Sequence, residues 1–204
     1  MITTEFLLTS FVVVVIPGTG VIYTVSTGLA LRGKASIVAA LGCTGGILPH
    51  LAASILGLSA IMHMSAQAFQ IIKLVGAAYL LYLAWSMWRD RGTFKLDNTV
   101  ERTGYFQIAL KGILINILNP KLTMFFLAFL PQFIDPAGLA VTQQMLVLSA
   151  IFMGMTFAIF VIYGIFASGI SDYLVKSPTA LQRVQRSFAV IFAVLAVKLA
   201  LSEQ

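Results

Sequence analysis

Four ionisable side chains stand out inside long apolar runs, where a charge is costly and usually functional: Lys121, His50, Lys73 and Lys111. Lys121 directly follows Pro120, His50 follows Pro49, and Lys73 lies near the start of its run. A lysine ammonium can bind a carboxylate or another anionic group, and histidine exchanges protons readily near neutral pH. Lys121 is therefore a candidate for binding an anionic ligand, and His50 and Lys73 are candidates for proton coupling or gating.

These side chains also have structural explanations. His50 can be a histidine that is hydrogen-bonded between helices, and Lys73 can extend so that its charge reaches the membrane surface. The same extension explains Lys111 and Lys198, which lie closer to the ends of their runs. Lys121 lies too deep for that route, so a functional role is favoured for this residue alone.

The elements that hold these residues must be membrane helices. Of the 204 residues, 59% are apolar and 10% are charged, against about 25% charged in ordinary soluble domains. A helix needs roughly 20 apolar residues to cross a hydrocarbon core. Six runs qualify: about Phe6 to Ala30, Ile37 to Met62, Ala66 to Trp88, about Phe106 to Phe133, Gln144 to Ile170, and a shorter one that begins about Val184, where the boundary with the preceding loop is approximate, and ends about Ser202. The sequence thus predicts an all-α membrane protein, a single integral membrane domain with six transmembrane helices.

The six helices divide into two halves, residues 1–88 and 106–204, joined by a cytoplasmic linker, residues 89–105. With three helices each, the halves enter the membrane from opposite sides, which is the inverted-repeat plan of many secondary transporters. The first helix of each half contains a proline, Pro17 or Pro120, and proline removes a backbone donor and clashes with the preceding turn. We therefore expect the first and fourth helices to be broken at these two positions.

Freed backbone groups at membrane depth are tolerated only where protein or a wet cavity satisfies them. The two breaks therefore predict a central substrate-binding site. Its candidate residues are Pro17, Gly18, Thr19, Gly20, Asn116, Asn119, Pro120 and Lys121.

An amino acid would fit this site. The seven acidic residues all lie in loops or near helix ends: Glu5, Asp90, Asp97, Glu101, Asp135, Asp172 and Glu203. The interior is therefore neutral to positive and suits a ligand with a carboxylate, which could meet Lys121 and the positive end of a half-helix that starts after Gly18. The ligand ammonium could meet carbonyl groups around Val15 and Ile16, or the side-chain oxygens of the two asparagines.

Basic residues predict the orientation. Nine lie in the loops after the first, third and fifth helices, and none in the loops after the second and fourth: Arg32, Lys34, Arg89, Arg91, Lys95, Arg102, Lys176, Arg183 and Arg186. The odd-numbered loops should face the cytoplasm, so both termini should lie outside a cytoplasmic (inner) membrane. This placement also explains the net charge of +6 without a nucleic-acid partner.

Catalysis is not expected. Cys43 is the single cysteine, which excludes an internal disulfide and a redox pair, and His50 and His63 have no acidic ligand near them in sequence. We expect no cofactor and no metal. A transporter of small molecules is favoured, and a membrane redox protein or a non-transporting assembly subunit is the alternative. Small residues such as Gly42 and Gly57 permit a homodimer within the lipid bilayer.

The sequence resembles the LysE/RhtB family of amino-acid exporters over Phe6 to Phe133. The similar motifs are Pro17-Gly18-Thr19-Gly20, which looks like the family's Pro-Gly-Pro-Asn signature, the Gly-x-x-x-His element with Gly42, Gly46 and His50, the run Lys73 to Leu83, and Asn116-Ile117-Leu118-Asn119-Pro120-Lys121. The resemblance implies export of amino acids or related small metabolites, driven by the proton or ion gradient. The sequence departs from the family's pattern at Thr19, Gly20, Ile47 and Pro49. These changes remove polar groups from the expected site, which favours a neutral amino acid or a less polar compound over lysine or arginine.

Overall fold

The computed structural model describes residues 2–16, 18–62, 104–135 and 138–176, with single residues between positions 71 and 89 and between 186 and 197. Every regular element in these ranges is helical, as predicted. In chain order the helices are α1 (Thr4–Val15), α2 (Thr19–Leu31), α3 (Gly33–Gly45), α4 (Leu48–Met62), α5 (Tyr105–Ile117), α6 (Pro120–Met124) and α7 (Val141–Lys176). A π-helical turn (Phe125–Phe129) and a 3₁₀ turn (Leu130–Phe133) continue α6.

Two helical stretches among these described residues are long and apolar enough to cross a membrane. They are Gly33–Gly57, which joins α3 to α4, and Val141–Ala167 within α7. The pairs α1–α2 and α5–α6 bend by 53° and 52° at short breaks, and each can form one further span. The predicted third and sixth helices lie mainly outside the described residues, so the six-helix inverted repeat remains a prediction.

The first and fourth predicted helices are both interrupted where proline predicted a break. Helix α1 ends at Val15 and α2 begins at Thr19, so the first interruption spans position 17, which itself lies outside the described residues. Helix α5 ends at Ile117, and Pro120 is the first residue of α6, where a missing N–H group costs no hydrogen bond.

A third interruption was not predicted. The run from Ile37 to Met62 was expected to form one helix, but α3 ends at Gly45 and α4 begins at Leu48. Pro49 explains the interruption, because it cannot donate the backbone hydrogen bond that would continue the α3 ladder. The direction of the chain is nevertheless maintained through Gly57.

Glycines allow the helices to approach each other at backbone distance. A Cβ atom at Gly42 would collide with the backbone of Ala109 on α5, and one at Gly28 would collide with the carbonyl group of Gly164 on α7. The small-residue face at Gly42 is therefore used for packing within the chain. Gly57 faces open space in the described part of the chain, so the homodimer remains a prediction without support from Gly42.

A cluster of phenylalanine rings packs α7 against the region that follows α6. The ring of Phe152 stacks on Phe125 with centroids 4.3 Å apart and meets Phe126 edge-on at 5.5 Å. These rings are all buried, and such arrangements add to the stabilisation from area burial. The cluster fixes α7 against the π-helical turn that follows α6.

Gln144 closes the loop between the 3₁₀ turn and α7. Its Oε1 accepts a hydrogen bond of 2.9 Å from the backbone N–H of Asp135, and its Nε2 donates to the carbonyl oxygens of Asp135 at 2.8 Å and Leu139 at 2.6 Å. The side chain is fully buried. The side chain of Gln144 therefore supplies hydrogen bonds to backbone groups of a loop that forms no regular secondary structure.

We expect Gln144→Ala to lower the melting temperature of the purified protein by roughly 5–10 °C. It removes three hydrogen bonds worth about 0.5–1.5 kcal/mol each, and one kcal/mol corresponds to about 2–4 °C in a chain of this size. The exposed neighbour Gln143 provides the control, since Gln143→Ala should leave the melting temperature unchanged. Equal melting temperatures for the two variants would show that the loop is held by other contacts.

Candidate functional site

The two helix breaks lie side by side around a small buried cavity. Five predicted site residues line it: Gly18, Gly20, Asn116, Asn119 and Lys121. The rest of the wall is largely apolar and is made by Val13, Val14, Val21, Leu122, Phe152, Thr156 and Phe160. Only about 10 Å³ is open to the centre of a water molecule, which is roughly the space of one water. A larger ligand can enter only if the surrounding helices move apart.

Lys121 binds the free end of α1. Its Nζ donates to the carbonyl oxygens of Val13 at 2.9 Å and Ile16 at 3.0 Å, and the Tyr163 hydroxyl donates to the carbonyl oxygen of Val15 at 2.9 Å. The break deprives these carbonyl groups of their helical partners. In this conformation they accept hydrogen bonds from two side chains, whereas the sequence predicted that they would be open to a ligand ammonium.

The start of α2 faces the same lysine. Gly18 is its N-terminal cap residue and has no side chain that could bind the first amide groups of the helix. A Cβ atom at Gly18 would lie 3.2 Å from Nζ of Lys121. The positive end of α2 and the lysine are thus adjacent, and none of the described acidic residues lines the cavity. This part of the site suits a carboxylate.

Asn116 joins the helices on the opposite wall. Its Nδ2 donates to the carbonyl oxygen of Cys43 at 2.7 Å, and its Oδ1 accepts from Nδ2 of Asn119 at 3.3 Å. Asn119 in turn caps α6 by accepting from the backbone N–H of Lys121 at 3.0 Å. A Cβ atom at Gly20 would lie 2.7 Å from Oδ1 of Asn116, so a larger residue there would displace the asparagine side chain. The two asparagines hold the second break in shape.

His50 contacts this wall from behind and does not line the cavity. Its Nε2 lies 2.8 Å from the carbonyl oxygen of Asn116, and its Nδ1 lies 3.2 Å from Oγ1 of Thr123. Because a carbonyl oxygen only accepts, Nε2 must carry a hydrogen. Oγ1 of Thr123 also lies 3.4 Å from the carbonyl oxygen of Asn119. The predicted interhelical hydrogen bond is therefore present, and it involves two residues of the second break.

Two other predicted site residues are described and lie outside the cavity wall. Thr19 and Pro120 begin α2 and α6, are exposed, and do not line the cavity. Pro17 and Lys73 lie outside the described residues, so their predicted roles remain predictions.

The contribution of α7 was not predicted from the sequence. Phe152, Thr156 and Phe160 repeat every four residues and so lie on one helix face, and Tyr163 reaches the end of α1 one turn later. The span Val141–Ala167 is largely apolar, so its hydrophobic pattern did not distinguish the face toward the site from the face toward lipid. The hydroxyl groups of Thr156 and Tyr163 were the available signal.

Comparison with known proteins assigns this arrangement to a family. An uncharacterised membrane protein of Vibrio cholerae is 33% identical over 92% of this chain and 90% of its own. A homoserine/homoserine lactone efflux protein of Salmonella typhimurium is 28% identical, covering 96% and 94%. A leucine efflux protein of an Enterobacter species is 26% identical, covering 74% of each chain. No solved structure shows a significant match.

The family model of LysE type translocators matches residues 11–203. This match continues far beyond Phe133, where the recognisable motifs end, and includes all of α7. Because this family consists of translocators, the match is consistent with the expectation of transport rather than catalysis. This match over nearly the whole chain shows that the protein belongs to the LysE type translocator family.

Proposed function

We propose that the protein is a secondary transporter that exports amino acids or related small metabolites across the cytoplasmic membrane, with both termini outside. The observation that carries the proposal is Lys121, which lies between the positive end of α2 and the freed carbonyl groups of α1. Relatives named as homoserine, leucine and threonine efflux proteins support an amino acid as the substrate class.

A zwitterionic ligand has one charged group for each of the two elements that meet at this lysine, the start of α2 and the carbonyl groups of α1. Its carboxylate would bind Lys121 and the amide groups at the start of α2. Its ammonium would then take the place of Nζ at the carbonyl oxygens of Val13 and Ile16, which already accept hydrogen bonds from a cation in the closed conformation. A bound substrate would therefore replace the direct hydrogen bonds between Lys121 and α1 by a bridge through the ligand.

This exchange gives substrate binding a means to move the helices. The tie between α1 and α6 must loosen, because about one water is all that the closed cavity admits. We propose that the halves form a three-plus-three inverted repeat and alternate between two openings around the site. The similar bends of 53° and 52° in the two broken pairs support such a repeat.

Counterflow of radiolabelled homoserine into proteoliposomes tests the proposed function. Unlabelled neutral amino acids inside the vesicles should drive accumulation of label above that of protein-free vesicles. Free homoserine should compete better than its lactone or an amino-acid amide, because only the free acid offers Lys121 a carboxylate. The absence of counterflow for every amino acid, with monodisperse protein, would refute amino-acid transport.

We further propose that His50 couples transport to protons. Protonation at Nδ1 reverses the hydrogen bond with Thr123, whose hydroxyl must then turn to the carbonyl oxygen of Asn119. That carbonyl accepts the first backbone bonds of α6. A proton on His50 therefore acts on the half-helix that holds Lys121.

Replacing His50 by glutamine should separate exchange from coupling. The amide of a glutamine side chain can still donate to the carbonyl oxygen of Asn116, so His50→Gln should retain counterflow. The amide does not titrate, so an imposed pH gradient should no longer drive accumulation. The measurement is uptake with and without the gradient in the same vesicles. Undiminished gradient-driven accumulation by the variant would exclude His50 as the coupling residue.

A further inference from the structure

One face of α7 supplies part of the wall of the cavity that Lys121 also lines. Phe152, Thr156 and Phe160 are 1%, 2% and 5% exposed, although α7 also has a broad apolar surface toward the outside of the molecule. All three line the cavity together with Lys121 and Gly18. A ligand whose charged groups meet Lys121 would direct the rest of its structure toward this face.

Phe160 limits the room beside Gly20. Its Cε2 atom lies 3.0 Å from the position that a Cβ atom on Gly20 would take, and Oδ1 of Asn116 lies 2.7 Å from the same point. Glycine and the phenylalanine edge are thus in direct contact at the first break. Phe152, by contrast, is fixed in the aromatic cluster through Phe125. Phe160 is the bulky group that borders the helix break itself.

Thr156 adds one polar atom between the two rings. Its hydroxyl donates to the carbonyl oxygen of Phe152 at 2.8 Å, so its hydrogen is already used within α7. The lone pairs of Oγ1 remain as acceptors. This wall therefore combines an apolar surface with a single acceptor that suits a hydroxyl donor.

We propose that Phe160 and Thr156 determine the specificity of transport: Phe160 excludes large side chains, and Thr156 accepts a hydrogen bond from a hydroxyl-bearing side chain. The preferred substrates are then small neutral amino acids, with hydroxyl-bearing ones favoured over aliphatic ones of equal size. This proposal rests on the proposed function, since it assigns the side-chain end of the same site.

The test is a competition profile in the counterflow assay, with threonine, valine and phenylalanine as competitors. Phe160→Ala should improve competition by phenylalanine about 10-fold or more, since a pocket gains roughly that factor for each apolar group it can newly accommodate. Phe160→Leu should allow competition by phenylalanine that is intermediate between the wild type and Phe160→Ala. It replaces the alanine variant in the test if that variant does not fold. Thr156→Val should reduce the preference for threonine over valine about 10-fold, because these ligands are almost equal in shape.

Phe166 is the matched control, because it lies on the same helix and is 57% exposed. Phe166→Ala should keep the wild-type profile. The specificity proposal would be overturned if Phe160→Ala, Phe160→Leu and Thr156→Val all gave the wild-type competition profile. It would also be overturned if Phe166→Ala changed the profile as much as they do. Neither result would affect the proposed transport function. The lack of any wild-type counterflow would instead refute the proposed function.

Discussion

Lys121→Met is expected to reduce amino-acid counterflow about 100-fold, close to the level of protein-free vesicles. The substitution removes the group proposed to bind the carboxylate and leaves the carbonyl oxygens of Val13 and Ile16 without their donor. A hydrogen bond to a charged group contributes about 1.5–3 kcal/mol, which corresponds to a factor of roughly 10–100 for each contact. Initial rates at low substrate concentration provide the measurement.

The matched control is Lys111, an exposed lysine on α5 whose Nζ lies 5.7 Å from the ring centroid of Tyr23. Lys111→Met removes the same charge from the other side of the break and should retain counterflow. Because Lys121 also ties α1 to α6, the melting temperature of both variants must be compared. Normal counterflow by a folded Lys121→Met variant would remove the lysine from the proposed mechanism.

Gly42→Val should prevent stable packing between the two halves. Any Cβ atom at Gly42 collides with the backbone of Ala109, and a backbone cannot move aside as a flexible side chain can. Overpacking typically costs about 1–3 kcal/mol and more where nothing relaxes, so we expect the melting temperature to fall by about 10 °C or more. Size-exclusion chromatography in detergent should show aggregation or a broadened peak.

Gly154 is the matched control, since a Cβ atom at this position of α7 meets nothing within 4 Å. Gly154→Val makes the same change in helix propensity and should melt near the wild type. If both valine variants melted near the wild type, α3 and α5 would have to lie farther apart than the contact between Gly42 and Ala109 indicates. Loss of stability in both would indicate a general effect of valine within these helices.

The positions of the two helix breaks could be predicted from the sequence because proline and glycine act locally. Pro120 begins α6, and Gly18, the N-cap residue of α2, has no side chain that could bind the first amide groups of that helix. These backbone effects depend on a few neighbouring atoms. The two breaks, and the two asparagines beside the second break, could therefore be identified without knowledge of the tertiary contacts. The second-helix interruption followed the same rule at Pro49, and the strong apolar pattern around it hid the signal.

The groups that Lys121 binds could not be predicted. Its partners, Val13 and Ile16, lie 108 and 105 positions away in the chain. A buried lysine needs acceptors, but carbonyl groups are present at every residue, and only packing selects two of them. For the same reason the expected opening for a ligand ammonium turned out to be closed by the lysine itself.

By itself, the sequence determined the membrane class, the family, the two proline breaks and an interior with lysine and no mid-span carboxylate, because composition and backbone chemistry act within a few residues. Only the tertiary structure decided that Phe152, Thr156 and Phe160 face the site and that Asn116 joins α3 to the break through Cys43. In a helix that is mainly apolar on all sides, the hydrophobic pattern gives little preference for one face. The choice between lipid and cavity is then made by the neighbouring helices.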